Sequence, residues 1–247
     1  MPTVRIVLVR ARNALNMGAA ARAMANFSLP DLALVQPYGA AWHTARSARA
    51  GAALLRSARV FDSLADAVAD CSLVIGTTAG TARTPALPLE DWAAMAAAVS
   101  ALPAEQTVAV LFGSEKTGLA VEDLSFCQRL ARIPTASDAP SMNLGQAVAV
   151  CAYELARSAT SAPAVPPAPG GPPLATAAER ELVVQAWQPL LERVGAALPS
   201  QRAARLRGLR QMLLRWRLAS SDAHILLGAA RQIRHALDGR RDPPPGA

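Results

Sequence analysis

Chemistry in this chain can be sought in four short stretches. The first is Arg10–Met17, which runs into Gly18-Ala-Ala-Ala-Arg22. The second is Thr77–Pro85, the third Gly113-Ser-Glu-Lys-Thr-Gly118, and the fourth Ile133–Asn143. Metal chemistry finds no support in them. His43, His224 and His235 are scattered, and no His/Cys/carboxylate group has ligand spacing. Nucleophilic catalysis fares no better: no cysteine has a histidine close by in sequence, and there is no GxSxG.

Phosphate-loop readings are weak as well. The first stretch lacks GxGxxG, and the third reads GxExxG without the Walker ending. Gly113 and Gly118 permit positive φ and close backbone approach to a flat ligand, although by itself this loop reads as a glycine-bounded turn. An enzyme built on these stretches needs a cofactor that brings its own reactivity.

The elements that must position these stretches alternate between short apolar runs and alanine-rich segments. Strands are predicted near Val4–Val9, Leu32–Gln36, Ser72–Gly76 and Thr107–Phe112, with a weaker one near Arg129–Ile133. Helices are predicted near Gly18–Phe27, His43–Ser57, Leu64–Ala69, Leu89–Val99 and Asn143–Arg157. This alternation predicts an α/β domain with a mostly parallel sheet, helices on both faces. Each of the four stretches then follows the C-terminal end of a strand, the edge at which open α/β sheets bind ligands.

Residues 158–175 hold six prolines and two glycines and read as a semi-stiff linker. Thr176 then caps a helix with Glu179 in its first turn, and helical spacing continues with breaks near Pro199–Ser200 and Ser220–Asp222. The expected organisation is an α/β domain over residues 1–157, the linker 158–175, a small all-α domain over 176–238 and a disordered tail over 239–247.

Charge divides along the same boundary. Residues 1–157 carry a net +1, residues 158–247 a net +6. A basic helical unit beside a near-neutral domain points to a polyanion partner. Cys71, Cys127 and Cys151 have no CxxC spacing and sit in apolar stretches, as buried thiols of a reducing compartment do. No signal-peptide layout precedes Val4–Val9, and no apolar run nears the ~20 residues that span a bilayer. A cytoplasmic protein without membrane partners is expected.

The four stretches also carry a resemblance. Asn16-Met-Gly-Ala-Ala-Ala-Arg22-Ala-Met, Leu111-Phe112-Gly113-Ser-Glu115-Lys-Thr-Gly118-Leu119 and Ile133-Pro134 through Ser141-Met142-Asn143-Leu144 resemble, in order and spacing, the three motifs of SPOUT-class RNA 2′-O-ribose methyltransferases. Cys71 through Thr77-Thr78-Ala79, and Leu206–Leu213 with Ser221–Gly228, resemble the TrmJ type, which methylates nucleotide 32 of the tRNA anticodon loop. The resemblance implies a homodimer of subunits with a C-terminal trefoil knot in the α/β domain, where composition alone favours an unknotted sheet. It implies S-adenosylmethionine as cofactor, no obligatory metal, and tRNA as partner. Related families act on other tRNA or rRNA sites and lack the helical tail; a non-catalytic RNA-binding homologue is the other alternative.

Residue roles follow from the resemblance. Thr77, Thr78, Ala79, Gly113, Gly118, Ile133, Ser141 and Met142 would bind the cofactor. Arg22 matches the catalytic arginine, and Asn16, Glu115 and Asn143 match the motif polar residues. Arg83, Arg205, Arg210 and Arg215 would contact RNA phosphates. Two departures stand out: an apparent one-residue insertion in Gly80-Thr81-Ala82-Arg83, and Ser114 and Lys116 where arginine is frequent. Outside the motifs, the same residues read more simply. Arg22 is then a solvated helix residue, Asn16 and Ser141 are helix N-caps, Glu115 an exposed turn carboxylate and Trp216 a core residue.

Overall fold

A computed structural model of the chain describes residues 1–39, 49–79, 87–161, 172–195 and 201–238. Seven parallel strands form one sheet in the order β3-β2-β1-β6-β4-β7-β5. They are β1 (Thr3–Val9), β2 (Asp31–Val35), β3 (Arg59–Phe61), β4 (Leu73–Thr77), β5 (Leu89–Asp91), β6 (Thr107–Phe112) and β7 (Arg129–Arg132). The helices are α1 (Ala14–Asn26), α2 (Arg49–Arg56), α3 (Leu64–Ala67), α4 (Trp92–Ser100), α5 (Val121–Leu124) and α6 (Leu144–Ser161). The tail contributes α7 (Ala177–Arg193), α8 (Arg202–Arg215) and α9 (Ser220–Asp238).

Alternating side chains explain why the central strands read as unbroken apolar runs. Val4, Ile6 and Leu8 of β1 join Val108, Val110 and Phe112 of β6 in the core beneath α1, α4 and α6. Val7 and Val9 join Ala109 and Leu111 in the second core, with Leu64 of α3 and Ala177 of α7. A strand covered on both faces needs apolar residues at every position.

The expected elements are present over the described residues, with four differences. Residues 59–61 form edge strand β3, too short to carry a period. Leu89–Asp91 begins as strand β5 and not as helix; its pairing with β7 and the Arg129–Glu90 ion pair override the weak strand propensity of Leu-Glu-Asp. Asp91 then caps α4, its side chain accepting from Ala93 N at 2.8 Å. Residues 121–124 form the short α5. Helix α6 is described to Ser161, beyond residue 157. The predicted helix from His43 is described only from Arg49 onward, and Arg83, most of the linker and the tail 239–247 lie outside the described residues.

The tail helices have their own core of Val183, Val184, Leu213, Leu218 and Ala223. They are also docked on the sheet domain through backbone bonds. Ala177 N donates to Cys71 O at 2.9 Å and Ala178 N to Ala69 O at 2.8 Å. Thr176 and Glu179 form a capping box at this junction, as the sequence predicts.

Arg5 is a buried charged residue toward the N-terminal end of the sheet, 3% exposed within β1. Its Nε donates to Asp31 at 2.8 Å, and its Nη1 and Nη2 form a bidentate pair with Asp70 at 2.5 and 2.8 Å. The Arg5 hydrogen bond holds the Asp70 carboxyl below the ordinary carboxylate range, against the opposing effect of burial. A carboxylate depressed in the folded state stabilises the fold above its unfolded pKa of about 3.9 and loses that contribution as pH falls through the folded value. Asp70→Asn is therefore expected to be less stable than the parent in urea unfolding at pH 7. The gap should narrow below about pH 4; a gap that is independent of pH would contradict the pairing.

Candidate active site

The four stretches converge, and three of them wall one cavity of about 550 Å³ at the C-terminal edge of the sheet. Thr77, Thr78 and Ala79 line it from β4, Gly113 through Gly118 from β6, and Ile133, Ser141 and Met142 from the segment after β7. Every residue expected to bind the cofactor is among its walls. Phe112, Leu119, Leu124, Leu130 and Trp92 supply apolar surface that sequence reasoning did not assign to the site.

Local geometry explains why these residues are needed where they stand. Thr77 Oγ1 donates to Leu111 O at 2.7 Å, tying β4 to β6 just before both strands open into loops. In the third stretch Gly118 N donates to Ser114 O at 2.8 Å, and Gly118 has φ of 65°. That bond folds the loop back on Ser114. A Cβ placed on Gly113 would lie 2.0 Å from Gly118 C and 2.1 Å from Leu119 N. Close approach at Gly113 thus serves the loop's own backbone, where the sequence pointed to a ligand. Thr135 Oγ1 donates to Pro140 O at 3.0 Å and closes the fourth stretch on itself.

Polar residues of all three motifs meet beside this cavity in one chain of hydrogen bonds. Asn143 Nδ2 donates to Asn16 Oδ1 at 2.9 Å, and Asn16 Nδ2 donates to Glu115 Oε1 at 2.9 Å. Glu115 also accepts from Arg12 N at 2.9 Å and Asn13 N at 3.1 Å. Burial pushes the Glu115 carboxyl up, but the bonds from Asn16 and from the Arg12 and Asn13 amides together hold it below the usual range. It is an anchored carboxylate, not a free turn residue.

Two helix caps differ from the sequence reading. Asn13, not Asn16, caps α1, with Oδ1 accepting from Leu15 N at 2.8 Å. Asn143, not Ser141, caps α6, with Oδ1 accepting from Gly145 N at 2.9 Å. Asn16 and Ser141 are thereby left free for other work, Ser141 in the cavity wall.

Arg22 does not line the cavity. It lies on the exposed stripe of α1 with Leu15, Ala19 and Asn26, and pairs with no described carboxylate. Arg205 and Arg215 are exposed on α8. Arg210 departs from its expected role. Its Nε and Nη2 pair with Glu181 at 2.8 and 2.9 Å, its Nη1 with Glu122 at 2.6 Å, and its guanidinium lies 4.4 Å from the Phe126 ring centre. Two carboxylates already satisfy this fork, so it is an interdomain clasp and not a free phosphate contact. Trp216 is 59% exposed at the end of α8, not in a core.

Sequence reasoning missed Arg10 and Asp123. Arg10, at φ 51°, forms an ion pair with the buried Asp123, which also accepts from Ala120 N at 2.6 Å. The pair fastens the end of β1 to α5. Its only sequence signal was the position of Arg10 at a strand end. All three cysteines are buried, and burial pushes the Cys71 thiol up to about 12. Among the described residues no helix is long and apolar enough to cross a membrane, and no group of three or more His/Cys/Asp/Glu is placed to hold a metal ion.

The loop geometry ranks two glycine substitutions. Gly118→Ala meets open space and bears only the left-handed backbone cost, about 1 kcal/mol. Gly113→Ala drives a methyl group into backbone and should cost about 3 kcal/mol. Chemical denaturation of both variants checks the order; equal losses would contradict the packing of Gly113 on Gly118.

Comparison with known proteins agrees with this geometry. Residues 3–153 match the SpoU rRNA Methylase family. The chain is 32% identical to the tRNA (cytidine/uridine-2′-O-)-methyltransferase TrmJ of Klebsiella pneumoniae, over 97% of this chain and 100% of that one. It is 39% identical to the tRNA (cytidine/uridine/adenosine-2′-O-)-methyltransferase TrmJ of Pseudomonas aeruginosa over 62% of this chain, an alignment that spans 60% of that relative's length. The crystal structure of TrmJ from Z. mobilis superposes with a TM-score of 0.80 at 30% identity, covering 95% of this chain and 99% of that one. Motifs, parallel sheet and docked helical tail converge on one conclusion: the chain belongs to the SpoU methylase family, in its TrmJ-type branch.

Proposed function

We propose that this protein methylates a ribose 2′-hydroxyl at nucleotide 32 of the tRNA anticodon loop, with S-adenosylmethionine as donor. The observation that carries this reading is the convergence of Thr77–Ala79, Gly113–Gly118 and Ile133–Met142 on one cavity. Its volume of about 550 Å³ falls in the range of cofactor sites. The donor set fits as well. Hydroxyls of Thr77, Thr78 and Ser141 and loop backbone stand beside apolar walls, which suits a neutral heteroaromatic ring and its ribose. When bound, S-adenosylmethionine supplies a methyl carbon made electrophilic by its sulfonium.

The chain's own residues have the remaining tasks. A ribose hydroxyl is a weak acid, and its oxygen must shed a proton as it is methylated. Arg22 is the catalytic arginine in this reading. A guanidinium is a poor base, so its more natural work is to grip the adjacent phosphate and stabilise charge developing on the 2′-oxygen. Glu115, Asn16 and Asn143 hold the three motif segments in register around the incoming sugar.

Arg22 reaches a reaction centre through dimerisation. The exposed stripe of α1 includes Leu15 at 66%, and Tyr153 on α6 is 50% exposed and packs edge-on against Phe27 with ring centres 6.0 Å apart. Such apolar exposure beside Arg22 supports a homodimer in which Arg22 of one subunit serves the cavity of the other. The trefoil knot, the division into a methyltransferase domain, a linker and a tRNA-binding helical extension, and a cytoplasmic location belong to the same proposal. Arg83, Arg205 and Arg215 contact phosphates, and Trp216, exposed next to Arg215 at the end of α8, offers a ring on which an unpaired base can stack.

Two measurements test the reading. Arg22→Ala should lower turnover about 10²–10³-fold while leaving S-adenosylhomocysteine affinity unchanged. Near-normal methylation of unmodified tRNA transcripts, mapped at the modified ribose, would remove Arg22 from the mechanism. Separately, the double variant Arg205→Glu, Arg215→Glu should bind tRNA more weakly and with a shallower salt dependence, the slope falling by about 2. An unchanged slope would place the phosphates elsewhere.

A further inference from the structure

The helical tail reaches the same cavity from above. Gln211 and Leu214 of α8 stand in its wall together with sheet-domain residues such as Val121, Leu124 and Cys127. They are about ninety residues distant in sequence from these neighbours, and no motif marks them.

This placement is built, not incidental. Arg207 and Arg210 of α8 both pair with Glu122 of α5, at 3.3 and 2.6 Å, while Arg210 is held from behind by Glu181 of α7. Val121 and Leu124, on either side of Glu122 and its neighbour Asp123, belong to the cavity wall. The clasp therefore joins the roof to the wall at the point where both border the cavity. Arg180, 8% exposed, adds a second anchor by donating from Nη1 to Ser72 O at 3.4 Å. With Ala177 and Ala178 bonded to Cys71 and Ala69, α7 is fixed to the loop that leads into β4.

We infer that the helical extension is a structural part of the methyl-donor site of its own subunit, with Gln211 a cofactor-contacting residue and Glu122 a positioning residue that holds α8 over the cavity. The inference rests on the proposal that this cavity takes S-adenosylmethionine. Gln211 offers both a carboxamide donor and an acceptor where the surrounding roof and wall side chains, Leu214, Val121 and Leu124, are apolar. Leu214, 8% exposed, closes the roof beside it. The exposed Arg205 and Arg215 and the cavity-lining Gln211 and Leu214 stand on one helix, α8, so the donor site is complete only when the RNA-contacting helix is docked.

Calorimetric titration of the full-length chain with S-adenosylhomocysteine tests this. Gln211→Ala and Glu122→Gln should each weaken binding about three- to tenfold, the equivalent of one lost hydrogen bond or of a loosened roof. Glu122→Asp, which keeps a carboxylate for both arginines, should bind within about twofold of the parent. The midpoint of thermal unfolding without ligand should fall by no more than about 2–4 °C, because ion pairs of a half-exposed carboxylate such as Glu122 contribute about 1 kcal/mol or less. Parental affinity in both Gln211→Ala and Glu122→Gln overturns the inference. A loss of affinity that merely tracks a lower unfolding midpoint also counts against it. Absence of binding by the parent chain would instead remove the cofactor reading, and this inference with it.

Discussion

The carboxylate of Glu115 lies where three separate segments must meet. It accepts from the amides of Arg12 and Asn13 at the start of α1, and from Asn16, which in turn accepts from Asn143 at the start of α6. Each bond joins residues about a hundred positions or more apart in sequence, yet each has ordinary length. The chain joins the start of α1, the loop after β6 and the start of α6, so all of its members are satisfied only when the three segments are in place. The loop bearing Glu115 is itself closed by the Gly118–Ser114 bond and by the packing of Gly113 against that turn. Cavity shape therefore depends on a carboxylate that does not need to touch the ligand.

The sheet makes that meeting possible. Because β1, β4, β6 and β7 are parallel, their exits lie on one edge, and the loops that follow them are neighbours before any side chain acts. Apolar residues at successive positions of β1 and β6 fasten the sheet to helices on both faces, so the edge is rigid. Arg5 at the opposite end satisfies its charge with Asp31 and Asp70. Function in this family is thus carried by loops on a stiff frame, in the usual division of labour between scaffold and site.

The tail shows how the same residue type can do two jobs. Arg205 and Arg215 stand in solvent, whereas Arg210 on the same helix is locked between two carboxylates and a phenyl ring. Composition sees only basic charge. Tertiary neighbours decide which arginines remain available to a polyanion and which are spent on docking the helix.

The sequence by itself determined the α/β alternation, the placement of the chemistry at strand ends and the family. Long apolar strands such as Val4–Val9 and Thr107–Phe112 announce themselves, because burial on both faces demands residues of one kind. The motif segments were legible for a similar reason: their residue types and spacing are fixed by turns and by close backbone contacts. Strands β3 and β5 were not legible, since three residues carry no period and their pairing comes from neighbours distant in sequence. Nor could the sequence reveal that Asn143 rather than Ser141 caps α6, that Arg10 meets Asp123, or that Gln211 and Leu214 roof the cavity. Those facts exist only when segments far apart in the chain are brought within hydrogen-bonding distance, which local pattern does not encode and tertiary packing alone decides.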